Sequence, residues 1–222
     1  RAVALERETV RGGSKLKDVW NERFLPYARI TTKVLVRDRY GLYDLLDISG
    51  QSLAKMNFPV RNFLTLMADS VEQPCEIEFM TLWPYEDNNY NSKRHSLEHN
   101  FSDKQLEKLF KQAARDIFNR RREGPGITQI NFHLIHYKEF AKDRTRWHER
   151  YITFDSLSRI VIADGFNNLF ADNDEIAHQN AIFRQKFDPN LDNENFRDFT
   201  GSSTRIEVKK GSVKVIRPVQ LY

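Results

Sequence analysis

One short polar stretch has the residue types and spacing to hold a phosphate group. His148, Arg150 and Asp155 form the pattern H-x-R-x4-D, and Gly165 and Asn167 follow it as a G-x-N element. Because successive side chains of a strand alternate between its faces, an extended chain places His148 and Arg150 on one face. An imidazole can act as a nucleophile, a cation can neutralise the phosphate, and a carboxylate can fix the tautomer of the imidazole. The pattern therefore predicts three catalytic residues, His148, Arg150 and Asp155.

Further cations and amides are expected around the same group. Ligands of open α/β sheets gather at the carboxyl ends of strands, and Arg37 and Arg39 follow a predicted strand. The alternative for this pair is a solvated turn. We predict that the phosphate ligands are Arg150, Asn167, Asn168, Arg37 and Arg39. A basic patch leading into His148 should raise the local phosphate concentration; it consists of Lys142, Arg144 and Arg146.

Bulk properties indicate an ordinary globular chain. At 222 residues one core is the best expectation, with residues 1–14 as a flexible lead-in and 15–222 as a single domain. The net charge of +4 permits nucleic acid or an anionic membrane as partner and demands neither. No apolar run is long enough for a transmembrane segment. The single cysteine, Cys75, favours a reducing compartment, and we expect a cytoplasmic protein.

The periodicity of apolar residues predicts an α/β domain. Helices are expected at 15–27, 59–70 and from a capping box at Ser102 to the basic run 120–122. Strands are expected at 30–36, 75–82, 127–137, 147–154 and 159–163, with a closing hairpin of 204–208 and 212–216. The polar stretches 83–101 and 172–200 are predicted to be long loops, with a short helix within 175–183. This order of elements predicts a mixed β-sheet flanked by helices.

The motif and the order of elements resemble one branch of the phospholipase D superfamily. It is the phospholipase-D-like domain that follows the MIT (microtubule-interacting and trafficking) domain, together with its prokaryotic relatives. The likeness rests on the strand end and acidic-x-Tyr turn at 36–40, the Pro-Cys strand entry at 73–78, the His148 motif and the strand and Gly-Phe segment at 160–170. It covers roughly residues 15–170. The resemblance implies a phospholipase-D-like sheet and, for this branch, lost phospholipase activity with binding and dimerisation kept.

Arg150 stands where the superfamily motif, H-x-K-x4-D, has lysine. A planar guanidinium binds a ground-state phosphate well but does not replace a compact ammonium beside a reacting phosphorus. The leading hypothesis is a catalytically silent binding and dimerisation module with a degenerate phosphate site, which serves a larger protein or complex. The alternative is a metal-independent phosphodiesterase or nuclease in which His148 is the nucleophile and a homodimer completes the site.

The sequence predicts binding partners for this chain but no cofactor. A single motif copy favours a homodimer. A protein partner, nucleic acid and a phospholipid headgroup are the candidate ligands, and the two polar stretches are expected to set partner specificity. No cofactor is expected. No metal is expected either, since His133 and His136 lie three apart on a predicted strand and point to opposite faces.

Overall fold

The computed structural model describes residues 6–42, 46, 59–83, 85–87, 94–96, 100–120, 125–136, 150–155, 158–171, 174–176, 179–185 and 203–218. The strands are β1 (Glu6–Val10), β2 (Lys33–Arg37), β3 (Cys75–Leu82), β4 (Tyr85–Asp87), β5 (Arg94–Ser96), β6 (Ile127–Ile135), β7 (Tyr151–Phe154), β8 (Ser158–Ile162), β9 (Asn180–Gln185), β10 (Ser203–Lys209) and β11 (Ser212–Ile216). The α-helices are α1 (Leu16–Arg23), α2 (Leu25–Ala28), α3 (Pro59–Ser70), α4 (Asp103–Ala113) and α5 (Phe166–Phe170). A 3-10 turn spans Ile117–Asn119.

Nine of these strands form one mixed sheet in the order β1-β9-β8-β7-β2-β3-β6-β10-β11. The central pairs β2–β3 and β3–β6 are parallel, and the flanking pairs are antiparallel. α3 follows β2 and precedes β3 in the chain, as a crossover between parallel neighbours requires. β2 and β7 run antiparallel, so the carboxyl end of β2 lies beside the amino end of β7.

One face of the sheet carries the aromatic core. Phe79 of β3 packs edge to face against Phe166 of α5, with 5.0 Å between the ring centres. The ring centres of Phe132 of β6 and Phe110 of α4 are 4.6 Å apart. Phe63 of α3 joins the same cluster through Phe166 at 5.3 Å. Odd-numbered positions of β3 and even-numbered positions of β2, β6, β7 and β8 point into this core. We call this side of the sheet the helix face.

The predicted fold class is confirmed: the chain is an α/β domain with a large mixed sheet, helices packed on it and a hairpin of β10 and β11 at its end. α3 and β3 have the predicted bounds. The capping box also forms, since the Ser102 hydroxyl accepts from the Gln105 N–H at 3.3 Å and the Gln105 side chain accepts from the Ser102 N–H at 2.8 Å.

Four predictions of local structure are wrong. Residues 6–10, placed in the flexible lead-in, form β1 and pair with β9. The short helix expected within 175–183 is wrong from Asn180 onward, where β9 begins and pairs with β1 and β8. The first polar loop contains a small hairpin of β4 and β5. α4 ends at Ala113 rather than at the basic run, because Asp116 adopts a left-handed backbone with φ 65°.

Candidate phosphate-binding site

Arg150 and Asp38 meet at one end of the sheet. Arg150 directly precedes β7, and Asp38 directly follows the antiparallel neighbour β2. Arg150 is two residues before the core residue Ile152, and Asp38 is two residues after the core residue Val36. Side chains two positions apart in a strand lie on the same face, so both lie on the helix face. The antiparallel pairing therefore brings an acid and a cation together although they are far apart in the chain.

The Asp38 carboxylate is buried and held by backbone groups. One oxygen accepts from the Phe166 N–H at 2.6 Å and the other from the Tyr40 N–H at 2.8 Å. Burial raises the pKa of Asp38, and the two N–H donors and the charge of Arg150 oppose that rise. The carboxylate thus fixes the turn after β2 against the start of α5.

Gly165 makes the close approach of these groups possible. Its φ of +91° is a conformation that side-chain-bearing residues rarely adopt. A Cβ at this position would lie 3.0 Å from Nη1 of Arg150 and 3.2 Å from Oδ2 of Asp38. The glycine is therefore needed for both its backbone and its lack of a side chain.

The half-buried Arg150 guanidinium is held by weak contacts. Its Nη1 donates to the Ala163 carbonyl at 3.3 Å, and its carbon lies 5.9 Å from the centre of the Tyr40 ring. Arg39 approaches the same ring at 4.8 Å. Tyr40 thus has two cations near one ring, both within the distance at which cations are attracted to an aromatic face.

The two asparagines have local roles. The Asn167 amide donates to the Tyr40 carbonyl at 2.8 Å and so ties α5 to the turn after β2. Its other polar atom, Oδ1, is a buried acceptor without a hydrogen-bond partner in the described part of the chain. An acceptor suits a hydroxyl or N–H rather than an oxyanion. Asn168 donates to the Asp164 carbonyl one turn back at 2.8 Å.

Two predicted site residues lie elsewhere. Arg37 is buried on the opposite face of the sheet, where its guanidinium donates to the Tyr151 hydroxyl at 3.4 Å. Asp155 lies at the other end of β7 from Arg150, about 16 Å away along an extended strand. Its carboxylate accepts from the backbone N–H groups of Thr32 at 2.7 Å and Lys33 at 2.6 Å. The structure therefore brings neither Arg37 nor Asp155 to Arg150.

The remaining predicted residues, namely His148, Lys142, Arg144 and Arg146, lie outside the described residues. The predicted site residues did not include Asp38, Tyr40 or Ala163, which contact or approach Arg150, although the segment 37–39 was expected to flank the same cleft. A signal was present for Asp38, since it continues the alternation of Val34 and Val36 and so belongs on the helix face. The same alternation places Arg37 on the other face.

A second buried acid lies on that other face. Glu78 of β3 accepts from Asn131 at 3.1 Å and pairs with Nε2 of His133 at 2.7 Å, both on β6. Burial favours the neutral acid, but the contacts with His133 and Asn131 outweigh it and lower the pKa of Glu78. Gln129 in turn donates to Asn131 at 2.7 Å. These side chains form a hydrogen-bonded network on β3 and β6.

Neither metal clusters nor membrane helices are found among the described residues. No group of three or more His, Cys, Asp or Glu side chains there has an arrangement that could hold a metal ion. Within the same ranges, no helix has both the length and the apolar character needed to span a bilayer.

Comparison with known proteins gives distant structural likenesses. No family model matches this chain, and no curated protein matches it. A phospholipase D family member, Nuc from Salmonella typhimurium, is similar over 97% of this chain and 99% of its own, with a TM-score of 0.38 and 8% identity. NucT from Helicobacter pylori is similar over 90% of this chain and 98% of its own, with a TM-score of 0.35 and 8% identity. These scores are too low to assign a family or an activity to this chain.

Proposed function

We propose that the chain is a binding module that holds a phosphate group at Arg150 without transferring it. The observation that supports this is the half-buried guanidinium of Arg150, fixed beside Gly165 and close to the buried Asp38. A guanidinium offers five N–H donors in a planar fork, and the described contacts use one of them, to the Ala163 carbonyl. The fork matches two oxygens of one phosphate.

Asp38 attracts this cation toward one side of the site. Its carboxylate is anchored by two backbone N–H groups, and its charge attracts Arg150 across Gly165. An arginine already placed by its neighbours loses less side-chain entropy when it binds a ligand. Arg39, on the same tyrosine ring, adds a second positive charge near the ligand. Arg150 and Arg39 are thus the proposed phosphate ligands, and Asp38, Tyr40 and Asn167 are positioning residues.

Binding is favoured over catalysis by the placement of Asp155. A nucleophilic histidine needs a partner that fixes its tautomer, and the motif names Asp155 for that role. In this fold Asp155 instead caps the start of β2 at the far end of β7. The arginine in place of lysine also suits a bound phosphate better than a reacting one.

The second candidate function is a metal-independent phosphodiesterase or nuclease with His148 as nucleophile. It is favoured by one observation: Arg150 is on the helix face, and His148, two residues earlier, would share that face if the strand continued. Another group would then have to orient His148. EDTA-resistant cleavage of DNA or RNA that disappears in His148→Ala would establish this function in place of silent binding.

The resemblance to phospholipase-D-like domains supports two further parts of the proposal. The module is expected to form a two-fold homodimer and to serve a larger protein or complex. Light scattering at micromolar concentration should give the dimer mass; a monomer at every concentration would remove the dimer from the proposal. A cytoplasmic location stays a prediction, which cell fractionation would test.

The phosphate site is tested by nuclear magnetic resonance titration with inorganic phosphate and with dimethyl phosphate. We expect both probes to shift the amide signals of Gly165 and Phe166, which lie against the Arg150 and Asp38 side chains. Arg150→Ala should abolish the shifts, and Arg150→Lys should keep them with weaker affinity, because lysine lacks the bidentate fork.

The matched control is Arg29→Ala. Arg29 is an exposed arginine paired with Glu72 at 3.5 Å and has no contact with the proposed site. Its removal should leave the titration unchanged. Equal shifts in the Arg150→Ala variant and the unaltered protein would show that the anion binds elsewhere, and the proposal would fail.

A further inference from the structure

A row of lysines runs along the outer side of α4. Lys104, Lys108 and Lys111 are spaced four and three residues apart, so they lie on one side of the helix, and Arg115 continues the row just beyond it. All four side chains are exposed. The buried side of the helix, Leu106, Leu109, Phe110 and Ala113, points the opposite way. We call these four cations the α4 stripe.

The cations of the stripe are close enough to repel one another. Cations three or four residues apart do so by a few tenths of a kcal/mol per pair. Glu107, an exposed acid three residues after Lys104 and four before Lys111, offsets part of this repulsion at one edge of the row. No carboxylate among the described residues forms an ion pair with Lys104, Lys108 or Lys111, and the one acid contact of the stripe is between Arg115 and Asp116 at 3.5 Å. The stripe therefore keeps an excess of positive charge that faces away from the core.

The stripe ends in a pocket that holds more positive charge. The β10–β11 turn, Lys209 to Ser212, faces the end of α4, and a pocket of about 230 Å³ lies between them. Its lining includes four cations, Lys111, Arg115, Lys209 and Lys210, and one acid, Asp116, so positive charge is in excess there. Gly211, with φ +81°, allows the tight turn that places the two lysines here. Cations from two separate elements thus border one concave surface.

This surface is distinct from the Arg150 site. β11, beside which α4 packs, is five strand positions from β7 in the sheet, which corresponds to about 24 Å. The β10–β11 turn also lies at the sheet end where β6 begins, since Lys209 pairs with Gln129. Arg150 lies at the end where β2 stops.

We infer that the α4 stripe and the adjoining pocket bind the phosphate backbone of a nucleic acid duplex. Lys104 and Lys111 are about 10 Å apart along the helix axis, which corresponds to about three successive phosphates of one duplex strand. A linear row of exposed lysines suits such a regularly spaced chain of charges. The contact carries no base specificity, because backbone contacts position a duplex without reading it.

A membrane surface fits the same features less well. An amphipathic helix that lies on a bilayer buries its apolar side in lipid, whereas the apolar side of α4 packs into the protein core. The large apolar side chain that is exposed in the described residues, Ile30, is not on this helix. Binding to lipid would therefore depend on charge alone.

The inference is tested by fluorescence anisotropy with a short labelled DNA duplex of mixed sequence, over a series of salt concentrations. The test variant is Lys108→Ala with Lys111→Ala. We expect duplex affinity to fall about tenfold or more and the slope of log affinity against log salt to decrease by about two, one for each lost phosphate contact. The control, Lys15→Ala with Lys17→Ala, removes two exposed lysines near the start of α1 and should change neither quantity.

Two further measurements keep the result interpretable. Thermal melting of the α4 variant should show little change in stability, because alanine is a good helix former and the removed repulsion between lysines offsets the lost attraction between Glu107 and Lys111. The α4 variant should also keep the shifts that inorganic phosphate produces at Gly165 and Phe166, so failure of the phosphate site and failure of this surface are separable. Unchanged duplex affinity in the α4 variant, or retention on anionic vesicles with no duplex binding, would overturn the inference.

Discussion

The two faces of the sheet each bury an acid near a basic side chain, but they treat it differently. Glu78 on one face is bonded to His133 and Asn131, so its charge is met by buried side chains. Asp38 on the helix face is bonded to two backbone N–H groups, and its cation, Arg150, is half-exposed. The Glu78 network thus consists of buried side chains, whereas the Asp38 cluster ends in a half-exposed cation.

The pKa values of the two buried acids shift in opposite directions. Burial raises the pKa of Asp38, because its donors do not fully replace water. The contacts with His133 lower the pKa of Glu78 despite its burial. The side chains around Glu78 thus favour its ionised form, whereas the burial of Asp38 works against its ionised form.

The largest loss of stability is expected for Asp38→Ala. The change leaves the N–H groups of Phe166 and Tyr40 without their acceptor and Arg150 without its nearby charge. We expect the free energy of unfolding to fall by about 3 kcal/mol. Urea denaturation measures it. Asp164→Ala, at an exposed acid of the neighbouring turn, should cost less than about 0.5 kcal/mol; equal effects of both changes would mean that the cluster does not organise this end of the sheet.

Gly165→Ala should cost about 2 kcal/mol and also reduce phosphate binding. Alanine is strained at the positive φ of this position. Its methyl group would also crowd the side chains of Arg150 and Asp38. Thermal unfolding together with the phosphate titration measures both effects. Gly126 has open space around it, so Gly126→Ala should be nearly neutral. A Gly165→Ala protein with normal stability and normal phosphate affinity would contradict the described packing.

Glu78→Gln should cost about 1 kcal/mol at neutral pH, with a defined pH dependence. Because the pKa of Glu78 is lowered on folding, its ionised form stabilises the protein above its usual pKa of 4.5, and this contribution is lost as the pH falls through the folded value. The stability difference between variant and parent should therefore shrink in acid, as measured by urea denaturation at several pH values. Glu76→Gln, at an exposed glutamate of the same strand, should show no such convergence.

Sequence reasoning predicted well where local signals dominate. α3 starts at a proline and α4 at a capping box, and β3 is a run of buried residues bounded by a turn. β1 and β9 were missed because both lie in polar stretches and are defined by long-range pairing: β1 is an edge strand paired with β9, and β9 lies between β1 and β8. No local periodicity records such a pairing.

The candidate site was predicted in part for the same reason. Arg150 was identified from the spacing of the H-x-R-x4-D motif, and the alternation of residues in β7 and β2 indicates which side chains share its face. The neighbour of β7 in the sheet is not encoded locally, so the partnership of Arg150 with Asp38, and the separation of Asp155 from both, follow only from the strand order.

Binding of a phosphate-like anion at Arg150 can be seen directly in crystals soaked in tungstate, a heavy analogue of phosphate. Anomalous scattering locates the anion without reference to a ligand model. We expect a peak within hydrogen-bond distance of the Arg150 guanidinium, on the side away from Asp38, that is lost in Arg150→Ala. Tungstate peaks confined to other basic surfaces, with none at Arg150, would contradict this expectation.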